Sequence, residues 1–160
     1  RGQMFESNED ALSICIDHVS KAVATMQENK IGALIVFENR TQLGEIISTG
    51  TVINADPSPS MINNVFFPKS PLHDGAVIIR DGRLYAAGCI LPLSQSDLIS
   101  SSMGTRHRAA IGMSENSDAV VVVVSEETGR ISFVRGGNVT PIQNINELKL
   151  LLSTSMEEEK

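Results

Sequence analysis

Basic residues are in short supply: 13 Lys and Arg stand against 19 Asp and Glu, leaving a formal net charge of -6 and a sequence pI near 5.0. That balance argues against a broad cationic face for nucleic acid or anionic membrane, so any bound anion must meet local positive groups. Cysteine is scarce too. Cys15 and Cys89 each sit in an apolar stretch, and neither belongs to a C-x-x-C or C-x-x-H pattern. A disulfide framework or zinc site therefore does not fit, and a reducing cytosol does. The longest apolar run unbroken even by glycine, residues 119–124, falls far short of the ~20 residues that span a bilayer. The opening residues do not read as a signal peptide, so a soluble piece is expected. Because it starts at Arg1 and not at Met, it is expected to be cut from a longer protein.

With 160 residues, 41% of them hydrophobic, the chain has the size of one compact domain with a real core. Leu12, Ile16, Val19, Val23 and Met26 recur at helical spacing, and Ser7 followed by Asp10 resembles a capping box, so an amphipathic helix is expected over residues 8–29. Residues 31–37 (IGALIVF) are continuously apolar and end at Glu38-Asn39-Arg40, as in a strand buried on both faces and central in its sheet. Residues 41–54 are expected to hold a short helix and a short strand. Asp56-Pro57-Ser58-Pro59 then breaks the chain before a helix near 60–67.

Residues 76–80 and 83–91 are apolar runs separated by Asp81-Gly82, the signature of a two-residue antiparallel hairpin. Residues 94–102 read as polar loop, and Thr105 is expected to cap a helix running to about Asn116. Residues 119–125 and 130–135 flank Glu126-Glu127-Thr128-Gly129, another hairpin. Gly136-Gly137-Asn138 reads as a turn, Leu148, Leu151 and Leu152 suggest a closing helix, and residues 156–160 read as a charged tail. With no repeat or linker, one α/β domain is expected, a mixed and largely antiparallel sheet surrounded by helices, with a core over about 8–152.

Two of the three histidines stand beside charged residues in short polar interruptions of otherwise apolar sequence, Leu72-His73-Asp74-Gly75-Ala76 and Thr105-Arg106-His107-Arg108. His18 reads as an ordinary surface residue of the first helix. At a helix start, successive side chains rotate by roughly 100°, so Arg106, His107 and Arg108 converge only beyond the helix end. There, free N–H groups and the helix dipole already favour an anion such as a polyphosphate. The plainer reading is a solvated helix start with arginines paired to surface carboxylates. Asp74-Gly75 sets a carboxylate at a strand end, suited to a divalent metal and a sugar hydroxyl, beside a glycine that lets a ligand approach the backbone. An aspartate satisfying its own turn is the plainer alternative. His73 is a candidate metal ligand or a hydrogen-bond partner. Ser125 and Glu127, where five valines run into a hairpin loop, can reach a phosphate and its metal or serve as turn residues. Leu91 offers an apolar wall for a base or simple core packing.

Gly32-Ala33-Leu34-Ile35-Val36, Asp74-Gly75-Ala76 and Thr105-Arg106-His107-Arg108-Ala109-Ala110, in that order, resemble the diadenylate cyclase family over about residues 1–152. Three ordered motifs are far more specific than any one of them. The resemblance implies a nucleotidyltransferase that condenses two ATP into the second messenger cyclic di-AMP and two pyrophosphates. In the family, two domains face each other, and the ribose 3′-hydroxyl of each ATP attacks the α-phosphorus of the other, so a homodimer is implied. Carried over by resemblance, Asp74 helps bind metal and activate the hydroxyl, with Glu127 as a further metal contact. Gly75 and Ala76 meet the nucleotide through backbone. Thr105, Arg106, His107 and Arg108 hold phosphates, Ser125 and Glu127 touch phosphate and metal, and Leu91 touches adenine. The implied cofactor is a divalent ion, Mg2+, Mn2+ or Co2+. The long first helix resembles the membrane-anchored type of this family, which implies transmembrane helices ahead of a cytoplasmic domain, and regulatory protein partners are implied as well. A non-catalytic sensor of ATP or cyclic di-AMP is the alternative reading.

Overall fold

The computed structural model describes residues 2–97, 99 and 103–157. Seven strands form one sheet in the order β2-β4-β3-β1-β5-β6-β7. β1 (Ala33–Phe37) lies at its centre, β3 (Ala76–Arg80) runs parallel to it, and β5 (Val120–Val124) runs antiparallel on its other side. All other pairs are antiparallel: β3 with β4 (Arg83–Cys89), β4 with β2 (Thr51–Ala55), β5 with β6 (Ile131–Arg135), and β6 with β7 (Asn138–Pro141). The expected central, doubly buried strand and the mixed, largely antiparallel sheet are both present.

Strand side chains alternate between faces, so the apolar runs of β1 and β5 feed two cores. Ile35, Phe37, Val120 and Val122 join the cluster under α1 (Gly2–Asn29), α3 (Pro59–Phe66) and α5 (Ile145–Glu157), where Val19, Met26, Phe66 and Leu152 are buried. Leu34, Val36, Val121 and Val123 join the opposite cluster, under α2 (Gly44–Ile47) and α4 (Thr105–Glu115), with Ile47, Ala110 and Met113. Every residue of β1 and β5 is buried, which is why these runs show no polar alternation.

The Asp81-Gly82 hairpin forms as expected, with φ of 52° and 73°. Both residues are left-handed, the demand of a type I′ turn. Gly82 also tucks against α1, since a Cβ there would lie 2.8 Å from the Ala11 carbonyl. α3 starts with Ser58 accepting from the Met61 amide at 3.0 Å and with Pro59 at its first turn, as the breaker sequence implied.

Five local expectations need correction. The first helix begins at Gly2 rather than residue 8, so Ser7 lies within it and not at its start. Gly104, not Thr105, is the N-cap of α4, and no side chain of the described residues caps that end. The turn after β6 is only Gly136-Gly137, because Asn138 begins β7; an edge strand exposed on both faces carries no alternation to read. Met156 belongs to α5 and packs against the core rather than opening a tail; residues 158–160 lie outside the described residues. His18 is half-buried with its Nδ1 shielded from solvent and unpartnered, so it is not an ordinary surface residue.

Candidate functional site

Strand direction decides where the motifs meet. β1 and β3 are parallel with Ile35 beside Val77, so Gly32 and Gly75 precede neighbouring strands at one rim of the sheet. β4 and β5 run the other way, with Cys89 opposite Ala76 and Val124 opposite Ala33. The same rim therefore gathers Asp74 before β3, Leu91 just past β4, and Ser125 and Glu127 just past β5. α4 starts there as well: Arg106 Nη1 lies 3.4 Å from Glu126 Oε1, and its guanidinium lies against Gly32. All three motifs, distant in sequence, thus converge.

Asp74 is exposed, and no hydrogen bond or ion pair engages its carboxylate among the described residues. His73 Nδ1 lies 2.8 Å from the Ser70 carbonyl. A carbonyl only accepts, so Nδ1 carries the proton and Nε2 keeps a free lone pair. Gly75 has φ of 142°, and a Cβ there would fall 2.8 Å from the Gly88 carbonyl carbon and 3.0 Å from the Cys89 oxygen. Gly88 is itself left-handed, φ 66°, at an irregularity in the β3–β4 pairing. The motif glycine is thus required by the neighbouring strand, a packing demand beyond the ligand access expected of it.

α4 presents Thr105, exposed, and Arg106, His107 and Arg108, half-buried. With Gly104 supplying no side-chain cap, the first-turn amides have no side-chain acceptor among the described residues and suit an anion. Burial, and then the Arg106 charge, push the His107 pKa below its ordinary value, so this imidazole is neutral at neutral pH. The Arg108 guanidinium has no partner among the described residues, although its carbonyl accepts from Ser94 N at 3.1 Å. That bond ties the segment after β4 along α4. Pro92 passes so close to Gly112 that no Cβ would fit between them. Leu91 is buried and shares the apolar cluster of Ala109 and Ala110.

Ser125 Oγ accepts from the amides of Glu127 at 3.2 Å and Thr128 at 3.3 Å, so the hydroxyl shapes its own turn. Glu127 is exposed and unpaired among the described residues. No group of three or more His, Cys, Asp or Glu able to hold a metal ion exists among the described residues. His73, Asp74 and Glu127 are therefore not a ready-made cage, and a divalent ion there needs oxygen donors from elsewhere, as magnesium commonly takes from substrate phosphates. Two residues of the rim escaped sequence reasoning, Gly32 as the neighbour of Arg106 and Glu126 as its ionic partner. An isolated glycine opening an apolar strand was the available signal for the first.

A rim of strand ends facing an uncapped helix N-terminus is a nucleotide-type arrangement, and comparison with known proteins agrees. The model of the DAC family, described as DisA bacterial checkpoint controller nucleotide-binding, matches residues 20–139. The chain belongs to the DAC family. This DAC domain is 43% identical over 143 residues to cyclic di-AMP synthase CdaA of Bacillus subtilis, covering 87% of this chain and 52% of that protein. It is 43% identical over 137 residues to a diadenylate cyclase of Listeria monocytogenes, covering 86% and 50%. The chain spans about half the length of these curated relatives. Among solved structures, a double cysteine mutant of DacA from Staphylococcus aureus superposes with a TM-score of 0.86 at 47% identity, covering 89% of this DAC domain and 95% of that chain. A protein from Bacillus cereus titled a hypothetical membrane spanning protein gives 0.77 at 44% identity, covering 79% and 62%. No described helix of this DAC domain is long and apolar enough to cross a membrane.

Proposed function

We propose that this DAC domain is the catalytic unit of a diadenylate cyclase, converting two ATP into cyclic di-AMP and two pyrophosphates. The observation that carries the reading is the meeting, at one rim, of an Asp74 carboxylate unengaged among the described residues with the start of α4 and its Arg106 side chain. The names of its relatives, cyclic di-AMP synthase and diadenylate cyclase, support the same chemistry.

Asp74 accepts the proton of the ribose 3′-hydroxyl as that oxygen attacks the α-phosphorus of the facing ATP. Arg106, Arg108, Thr105 and the α4 amides bind phosphate oxygens and offset the negative charge that grows on departing pyrophosphate. His107, neutral, contributes a hydrogen bond rather than a charge. Gly75 and Ala76 contact the nucleotide through backbone, Ser125 contacts phosphate, and Leu91 walls the base. Asp74, Glu127 and the free Nε2 of His73 would hold a divalent ion, magnesium, manganese or cobalt, jointly with the nucleotide. Such an ion supplies electrostatic stabilisation of phosphate charge. Positioning and charge neutralisation, rather than a covalent nucleophile, carry this reaction, which suits a rim without a Ser–His or Cys–His pair.

Each domain presents one ATP, so the reaction needs two domains face to face and the turnover per molecule rises with protein concentration. The membrane-spanning description of a structural neighbour supports a cytoplasmic-side membrane location for the whole protein, where regulatory partners would act. The test is to incubate the domain with ATP and each metal and look for cyclic di-AMP by mass spectrometry. Wild type is expected to form it, while Asp74→Asn binds ATP by calorimetry without forming product. No product from wild type with any of the three metals rejects the reading, and normal product from Asp74→Asn removes that residue's role.

A further inference from the structure

We infer that Gly32 is a positioning residue for Arg106, an inference that rests on the nucleotide-site reading above. The guanidinium lies flat against the chain where β1 begins: a Cβ built on Gly32 would be 2.5 Å from Arg106 Cζ, 2.5 Å from Nη1 and 2.9 Å from Nη2. Carbon atoms prefer about 3.5–4.0 Å, so only a residue without a side chain leaves this berth open. All three nearest atoms belong to the one guanidinium. Gly32 is not among the positive-φ glycines, so its identity is not explained by backbone conformation. It is explained by what rests on it.

The ion pair with Glu126 cannot hold Arg106 by itself. The separation is 3.4 Å, and the Glu126 side chain is 66% exposed against 23% for Arg106; an exposed pair of that kind is weak and easily screened. Glu126 sets the direction of the guanidinium, and the bare Cα of Gly32 fixes its depth. Together they hold Arg106 at the rim between the start of β1 and the end of β5. Only one of its nitrogens is engaged by Glu126, which leaves other N–H donors for phosphate oxygens. The arginine is thereby placed before nucleotide arrives, the condition under which a charged contact is most effective in a transition state.

The test is Gly32→Ala, alone and combined with Arg106→Ala, in the domain that carries the proposed activity. The methyl group displaces the far end of a flexible side chain by at least about 1 Å, so the melting temperature is expected to stay close to wild type. Misplacement on that scale costs on the order of 10–100-fold in turnover, with the larger share in kcat. In the Arg106→Ala background the same methyl enters vacated space, so the double variant is expected to be no slower than Arg106→Ala. Wild-type kinetics in Gly32→Ala, or losses that multiply in the double variant, overturn the inference. A wild-type domain that binds ATP yet makes no cyclic di-AMP defeats the cyclase reading instead. The Gly32 comparison is then read from ATP affinity, where an unchanged dissociation constant overturns it.

Discussion

Replacing Glu38 with alanine is expected to weaken the fold severely while leaving the nucleotide rim intact. Glu38 follows β1, and its carboxylate accepts from Arg80 Nε at 2.7 Å, Arg80 Nη2 at 2.9 Å and the Leu43 amide at 2.8 Å. Its side chain is 5% exposed and that of Arg80 24%, and Arg80 also lies 4.4 Å from the centroid of the Tyr85 ring. Breaking a fully buried pair costs about 3–5 kcal/mol because the remaining charge is stranded. Here Arg80 can turn partly to water, but the buried Leu43 amide loses its acceptor. The net loss is placed at about 3 kcal/mol, which for a domain of this size lowers Tm by about 6–12 °C. Burial raises the Glu38 pKa, yet the Arg80 and Leu43 bonds outweigh it and hold the carboxyl below its usual range. Its stabilisation is therefore present above about pH 4 and lost as pH falls through the depressed folded value. Glu38 is six residues from Gly32, about 20 Å along the strand, so ATP affinity measured well below Tm is expected to match wild type. Urea denaturation at pH 7 and calorimetry with ATP check both halves. A loss under about 1 kcal/mol, or a fall in ATP affinity in the folded variant, refutes the reasoning.

Arg108→Ala is expected to leave Tm nearly unchanged, within about 0.5 kcal/mol, because its guanidinium has no partner among the described residues, while ATP affinity falls; melting and calorimetry on the same sample decide. Gly75→Ala forces a side chain into φ of 142° and against the Gly88 backbone, so a stability loss of about 2 kcal/mol or more is expected together with lost turnover, read by urea denaturation and product assay. His107 is expected to titrate below the ordinary value of 6.5, and Arg106→Ala to raise its midpoint, both measurable by NMR. Because the unfolded imidazole takes up its proton first, stability declines as pH drops through about 6.5 toward the folded value.

The two-sided burial of β1 was legible because IGALIVF has no polar alternation, and the Asp81-Gly82 hairpin because its left-handed pair has a strong residue signature. The rim was legible only as separate motifs. Which strand ends share an edge follows from parallel β1–β3 pairing, and pairing depends on long-range partners rather than local residues. Edge strand β7 was missed because its four residues are mostly exposed and include Pro141, so neither periodicity nor propensity favours a strand. The α1 start was misplaced because Ser7 and Asp10 satisfy a local capping pattern that the helix simply continues through. Gly88 belonged to no motif and Gly32 opened one without showing what it touches; each is explained by a close neighbour remote in sequence, Gly75 and Arg106.

Positions 32, 74, 91, 106 and 125 reach the rim from five separate stretches, and the two strands whose starts frame it, β1 and β3, are adjacent in space with a whole strand and two helices between them in the chain. A single cut between any two of them therefore leaves each fragment with only part of the pocket. If the backbone were severed in the segment between β4 and α4, each piece would be inert, and nucleotide affinity would return only on reassembly of both halves into one sheet, a complementation assay that the connectivity supplies ready-made.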